Sequence, residues 1–272
     1  MYKADIGIFG GTGFYSFLKA EEITVETPYG SPSDKIALTQ IQNKTVAFLP
    51  RHGKDHRYPP SKIPYRANIW AFKRLGVKYI ISPCAAGSLQ PYIKPGHIVI
   101  LDQIFDRTYK RENTFYEGPI TTHLSFDNPY NEYLRSLFIQ KAGQLGIPYH
   151  DKGTVVVIEG PRFSTKAESR FYSQMGFHVI NMTQMPEAIL ARELEIPFCG
   201  VALITDYDVG LEGHPEVEPV SHKTAIENFI KNQEKLKELI IEVVKDIDLE
   251  RKEKEHSALE NARFHVECIK LI

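Results

Sequence analysis

The sequence carries no surplus of either charge. Its 33 lysines and arginines are matched by 34 aspartates and glutamates, a formal net charge of −1, so no basic field for nucleic acid or an anionic lipid surface is expected. Cysteine is scarce. Cys84, Cys199 and Cys268 are odd in number and none stands at C-x-x-C spacing, which argues against a disulfide framework and for reduced thiols in the cytoplasm. No apolar run approaches the ~20 residues of a membrane span. The opening "MYKADIGIFGG" leads into an apolar segment and a glycine turn, not a signal peptide. Repeats, low-complexity tracts and Pro/Gly/Ser linkers are also missing, so a single domain is expected over 1–272. What is present is 42% apolar and 25% charged, enough to bury a good core.

Short β-rich runs recur: "IGIF" (6–9), "TVAFLP" (45–50), "KYIISP" (78–83), "GHIVILDQI" (96–104), "GTVVVIEG" (153–160), "HVINM" (178–182) and "CGVALIT" (199–205). Helical patterns separate several of them. "NIWAFKRLG" (68–76) ends on glycine, "NEYLRSLFIQKAGQLG" (131–146) is amphipathic, "STKAESRFYSQMG" (164–176) opens on a capping residue, and "PEAILARELEI" (186–196) opens on proline. A long amphipathic helix is expected over 221–247, followed by a charged run at 250–256. Alternating strands and helices predict an α/β fold, a central mixed β-sheet flanked by helices.

Three segments suit an anion. "GIFGGTGF" (7–14) places a glycine turn after a strand, where backbone N–H groups can face a phosphate. As a dinucleotide fingerprint it fails at the third glycine, which falls on Ser16. The Tyr58–Lys62 pair that an oxidoreductase would use is interrupted by Pro59 and Pro60. A P-loop lysine is missing. A phosphate cradle helped by Thr12 and a purely structural turn remain. Arg51 and His52 follow a strand end, as an oxyanion clamp or as a basic loop. "SPCAAGSL" (82–89) sets small residues after another strand end, for close ligand approach or for close packing.

"TDYD" (205–208) ends the last apolar run. In an extended chain Asp206 and Asp208 point to the same side. Taken alone, the pair suits a metal, an acid–base couple or a polar group on a ligand.

Taken together, "GIFGGTGF", "PRHGKDH", "PSKIPYRANIWAFKRLG", "AAGSL", "IKPGHIVILDQIFDRT", "GTVVVIEGPRFSTKAES", "VINMTQMPEAILARE" and "TDYD" resemble the trimeric purine nucleoside phosphorylase superfamily, and within it the 5′-methylthioadenosine phosphorylases. The resemblance implies a glycosyltransferase of the pentosyltransferase class in purine salvage. Phosphate would convert S-methyl-5′-thioadenosine reversibly to adenine and 5-methylthioribose 1-phosphate. Phosphate is then a co-substrate, with no cofactor and no metal. By the same resemblance, Thr12, Arg51, His52, Cys84, Ala85 and Thr183 would hold phosphate. Cys84 departs from the pattern, since relatives present a better donor than a thiol there. Met182 would lie under the ribose and Phe163 would stack on the purine. Ser164 stands where relatives specific for 6-oxopurines carry glutamate. Asp206 and Asp208 would then read a 6-aminopurine. Sharing a proton in an enclosed site, Asp206 would donate to N7 and Asp208 would accept from the amino group. Asp206 and His52 are the catalytic candidates.

His56, His123 and His222 would surround the 5′ end of the sugar. His222 falls where methylthioadenosine enzymes carry a small aliphatic residue. It would either shift specificity toward adenosine or turn away and leave methylthioadenosine preferred. His123 would reach a neighbouring subunit, which implies a homotrimer or a dimer of trimers. A non-catalytic nucleoside binder and a nicotinamide-dependent oxidoreductase are the competing classes.

Overall fold

The computed structural model describes residues 2–10, 21–119, 121–211, 217–260 and 262. Eleven strands form one mixed sheet: β1 (Ile6–Gly10), β2 (Glu21–Ile23), β3 (Ile36–Ile41), β4 (Lys44–Pro50), β5 (Tyr79–Ser88), β6 (Ile98–Ile100), β7 (Gln103–Arg107), β8 (Tyr149–His150), β9 (Thr154–Ile158), β10 (Val179–Asn181) and β11 (Phe198–Asp206). The helices are α1 (Tyr65–Arg74), α2 (Glu132–Gln144), α3 (Lys166–Gln174), α4 (Gln184–Glu193) and α5 (His222–Asp246).

Period-two alternation divides the core. On β1, Ile6 and Ile8 face one side with Leu134 and Phe138 of α2 and Leu236, Leu239 and Ile240 of α5. Phe9 faces the other with Ile69 and Phe72 of α1 and Leu190 of α4. Gly7 serves this packing, because a Cβ there would stand 2.8 Å from Phe72 Cδ2. Each fully buried Leu, Ile or Phe contributes about 1.5–3 kcal/mol.

β5 is the branching strand. It pairs with β11 from Ile80 to Gly87, with β1 at Tyr79–Ile81, and with β10 at Gly87 and Ser88. Between the last two pairings its second edge, Ser82 to Ala86, has no strand partner among the described residues. Beside that gap, the carboxyl ends of β1, β4, β5, β10 and β11 gather. Ligands of open α/β sheets bind in crevices of this kind.

Several boundaries differ from the sequence reading. "SPCAAGSL" is not a turn after a strand but the second half of β5, held straight by the long β11 ladder. "GHIVILDQI" splits into β6, paired with β11, and β7, paired with β9. The break falls where Leu101 N–H turns to Gly200 O and Asp102 caps Gly153 N–H. Strands β2, β3 and β8 carry no run that alternation alone would select. α5 stops at Asp246, so the charged run at 250–256 links the helix to the tail and overlaps a separate 3₁₀ turn, Lys254–Ser257. No described helix is long and apolar enough to cross a membrane.

Candidate active site

Arg51 leaves the end of β4 and turns inward, 3% exposed. Its Nε and Nη2 donate to the two oxygens of Glu187 at 2.7 and 3.0 Å, Nη2 also donates to Ser82 Oγ at 2.8 Å, and Nη1 donates to Pro83 O at 2.8 Å. Four of its five N–H groups are thus committed, which leaves one on Nη1 for an anion. Glu187 itself is fully buried and also accepts from Ser82 Oγ at 2.7 Å. The guanidinium charge is therefore already balanced, and Arg51 offers direction more than net charge.

His52 is fixed twice to Tyr58. Its ring Nδ1 lies 2.8 Å from Tyr58 O, and Tyr58 N–H donates to His52 O at 3.1 Å. Burial depresses its pKa to about 4, with Arg51 and His56 adding to the fall and the Tyr58 carbonyl opposing it. Cys84 is buried, its thiol pushed up to about 11 by burial, and its Sγ accepts from Asn181 Nδ2 at 3.2 Å. Ala85 alone in that half of β5 is exposed, on the unpaired edge. Thr183 caps the start of α4, yet its hydroxyl makes no capping bond. Met185 is non-helical (φ −112°, ψ 135°), so the regular helix begins at Pro186, as its proline suggested. Thr12 lies outside the described residues.

The aspartates meet differently from a strand alternation. β11 ends at Asp206, and Asp208 lies beyond it at φ 50°. A turn, not an extended chain, joins the pair. Each oxygen of Asp206 is engaged: Oδ2 accepts from Thr205 Oγ1 at 2.6 Å and Oδ1 from Asp208 N–H at 2.8 Å. Gly87 makes room for it, because a Cβ there would stand 2.8 Å from Asp206 Oδ1. Burial raises the Asp206 pKa, while the Thr205 and Asp208 bonds lower it. Asp208 is pushed up to about 6, chiefly by burial and further by the Asp206 charge; Ser169 and Ser164 temper the rise. The Ser169 and Ser164 hydroxyls are near enough to act on the carboxyl, yet Asp208 Oδ2 and Ser164 Oγ are buried and make no hydrogen bond of ordinary geometry among the described residues. A cavity of about 450 Å³ opens between α3, with Ser169 on its wall, and the stretches Val209–Leu211 and Val217–Pro219. Phe163 is 38% exposed, its ring available for stacking. Met182 leans on Gly160, where a Cβ would stand 2.5 Å from its sulfur.

The histidines fall into a row and an outlier. His52 stacks on His56 at 4.4 Å with rings 10° apart, and His56 lies 6.3 Å from His222 at the start of α5. Asn228 of α5 donates to Thr205 O at 2.7 Å, which ties the helix to the aspartate turn. His123 stands apart. It is exposed, its N–H donates to Ala262 O at 2.7 Å, and no hydrogen bond or ring contact joins it to the other candidates among the described residues.

Residue types and spacing did not reveal two buried supports. Glu187, inside "MPEA", is an acid in an apolar stretch, and a buried acid needs a cation; that was its only signal. Arg111 donates to Tyr65 Oη (3.1 Å), Met182 O (2.8 Å), Met185 O (2.5 Å), Ile158 O (3.3 Å) and Glu159 O (2.7 Å). It straps the Met182 floor to the segment leading to Phe163. Nothing in "TYKREN" distinguishes it from a surface cation. Among the described residues, no group of three or more His, Cys, Asp or Glu side chains is placed to hold a metal.

The model of the phosphorylase superfamily matches residues 5–245. S-methyl-5′-thioadenosine phosphorylase of Pyrococcus abyssi is 47% identical over 248 residues, covering 91% of this chain and 94% of the relative. The enzyme of the same name from Mycolicibacterium smegmatis is 45% identical, covering 90% and 92%. A crystal structure of methylthioadenosine phosphorylase from an antarctic soil metagenomic library superposes with a TM-score of 0.91 at 43% identity, over 98% of this chain and 95% of that one. A Schistosoma mansoni structure, a mutant adenosine/methylthioadenosine phosphorylase in complex with adenine, gives 0.87 at 34%, over 96% and 99%. By the family match and by these relatives, the chain belongs to the phosphorylase superfamily and falls with its S-methyl-5′-thioadenosine phosphorylases.

Proposed function

We propose that this chain catalyses the phosphate-dependent, reversible cleavage of S-methyl-5′-thioadenosine to adenine and 5-methylthioribose 1-phosphate. The observation that carries the reading is the unpartnered Oδ2 of Asp208 beside the hydrogen-bonded Asp206. A buried acceptor without a partner suits the donating 6-amino group of adenine. Burial raises both carboxyls of the pair, which suits one proton shared between them and passed by Asp206 to N7. Phosphate oxygen forms the bond to C1′ as the C1′–N9 bond breaks. The electron pair leaves with the purine, and the proton shared by Asp206 and Asp208 passes from Asp206 to N7. Arg51, Ala85, Thr183 and Thr12 hold the phosphate, with Cys84 beside them. Phe163, Ser164 and Met182 hold the nucleoside. No cofactor or metal enters the reaction.

The test is adenine release from methylthioadenosine. Release that depends on phosphate is expected; no release with phosphate present overturns the reading and leaves a binder. The His56–His222 pair at the start of α5 supports a second substrate, adenosine, whose 5′-hydroxyl His222 would bond. One structural relative is itself named for both substrates. We also propose a homotrimer or dimer of trimers in the cytoplasm, with His123 serving a neighbour's sugar pocket. Light scattering that gives a monomer would remove that part.

A further inference from the structure

β11 loses its register where it reaches the aspartates. Ile204 pairs with Ala86 of β5 and Asp206 with Gly87, so Thr205 has no partner residue on that strand. One residue is extra there, a bulge, and a bulge beside a site re-aims the side chain that follows it. On the other edge, pairing with β6 ends at Leu203. Ile204 is taken by a loop: its N–H donates to His97 O at 3.0 Å and its carbonyl accepts from Gly96 N–H at 2.8 Å. The next carbonyl, Thr205 O, is taken by a side chain, with Asn228 Nδ2 donating to it at 2.7 Å. A carbonyl only accepts, so the amide nitrogen has to face it. Asn232 backs Asn228 from one turn on, donating to its carbonyl at 2.9 Å. Gly96 lets that turn come close, because a Cβ there would stand 3.1 Å from Asn232 Oδ1. From His222 to Lys235 α5 buries no residue, and Phe229 packs on the core only in part. This half of the helix is fastened to the sheet by a polar contact more than by a core.

We propose that Asn228 is a positioning residue for proton donation to the purine: by fixing the Thr205 carbonyl it holds the bulge that aims Asp206. This rests on the proposed phosphorylase reading, in which Asp206 passes a proton to N7. The path is short. Thr205 is 1% exposed, and its hydroxyl donates to Asp206 Oδ2 at 2.6 Å. Turning the Thr205 peptide moves that hydroxyl, and the carboxyl with it. The other holds on Asp206 are the Asp208 N–H at 2.8 Å and the space over Gly87. They belong to the same turn and the same strand pair, so they move with the bulge rather than resist it. Asn228 reaches the bulge from a different element. A general acid displaced by an ångström loses about 10- to 100-fold in rate.

The experiment measures base release in single turnovers with phosphate, from methylthioadenosine and from its 2-fluoro analogue, in the wild type, Asn228→Asp and Asn228→Leu. Fluorine is little larger than hydrogen and makes the purine a weaker base, so it leaves with less help from a proton at N7. Aspartate keeps the shape but turns an acceptor on the carbonyl; leucine keeps the bulk and the helix and offers no donor. In both variants methylthioadenosine should slow about 10- to 100-fold, and the 2-fluoro analogue about threefold or less. A ratio of two substrates in one sample does not depend on how much of the variant is folded. A merely structural role would therefore lower the urea midpoint and leave the ratio unchanged. Equal slowing of both substrates, or no slowing, in whichever variant folds overturns the proposal. A wild type that releases no base with phosphate present is a different result and removes the phosphorylase reading itself.

Discussion

The two ends of the crevice are built on different physics. The proposed phosphate end is made of strand termini and buried charge: Arg51 is 3% exposed and Glu187 is fully buried. The nucleoside end hangs on a turn, a loop and a helix start, with Phe163, His56 and His222 exposed. Proton preference also divides them. At one end burial drives His52 toward the neutral base; at the other it drives Asp208 toward the neutral acid. Both ends avoid charge, one by losing a proton and the other by keeping it. The difference teaches that buried, paired charge is concentrated at the proposed anion end, and exposed, adaptable groups at the proposed nucleoside end.

The strongest way to break that contrast is to unpair the buried ions. Glu187→Ala leaves a buried guanidinium without its partner and should cost about 3–5 kcal/mol, read as a lower urea midpoint. The same truncation at exposed His222 should stay within about 0.5 kcal/mol. Equal losses would erase the distinction. Next comes Asp206→Asn. Removing the group assigned to N7 should lower kcat/KM for methylthioadenosine by about 10²-fold or more, while inosine, whose 6-oxo group accepts, should lose less or gain. Unchanged activity on the adenine nucleoside would take Asp206 out of the mechanism.

The contrast also explains what the sequence shows. At the proposed phosphate end strand ends announce themselves: "TVAFLP" runs straight into Arg51 and His52, whereas Thr183 came only from the family resemblance. Glu187 was hidden, since its meaning depends on an arginine 136 residues away. At the nucleoside end the type of "TDYD" was readable but its geometry was not. Thr205, Asp208 N–H and the missing Cβ of Gly87 reshape the pair after β11 has ended. Arg111 stayed invisible because its five acceptors come from backbone carbonyls and one tyrosine hydroxyl, and side-chain chemistry leaves no trace of such partners in a sequence.

The opposite proton preferences give a sharper comparison. Asp208 has a raised folded pKa, so its stability contribution is full below the unfolded value near 4 and is lost as pH rises through about 6. His52 has a depressed folded pKa, so its contribution is present above about 6.5 and is lost as pH falls through about 4. Over the shared window the two slopes oppose each other. Wild-type urea midpoints should therefore change little between pH 4 and pH 6.5 on their account. Asp208→Asn should uncover stability that rises with pH, and His52→Gln stability that falls. Variants that both shift the slope the same way would show that these groups are not its source.

The smallest effect belongs to His222, the exposed end of the histidine row. Its ring lies 6.3 Å from His56, on the first residue of α5, and Ser221 caps that helix by accepting from Thr224 N–H at 3.1 Å. The cap does not involve His222, so His222→Val leaves the helix start intact. A hydrogen bond at so open a position contributes about 1 kcal/mol, a few-fold in rate. His222→Val should therefore raise the kcat/KM ratio of methylthioadenosine to adenosine about fivefold, by losing the 5′-hydroxyl partner and gaining apolar surface for S-methyl. A far larger change would mean that His222 is enclosed when substrate is bound. An unchanged ratio would mean that the 5′ end is read elsewhere, and would leave methylthioadenosine preference to the apolar face of α5 at Ile226 and Ile230, both exposed.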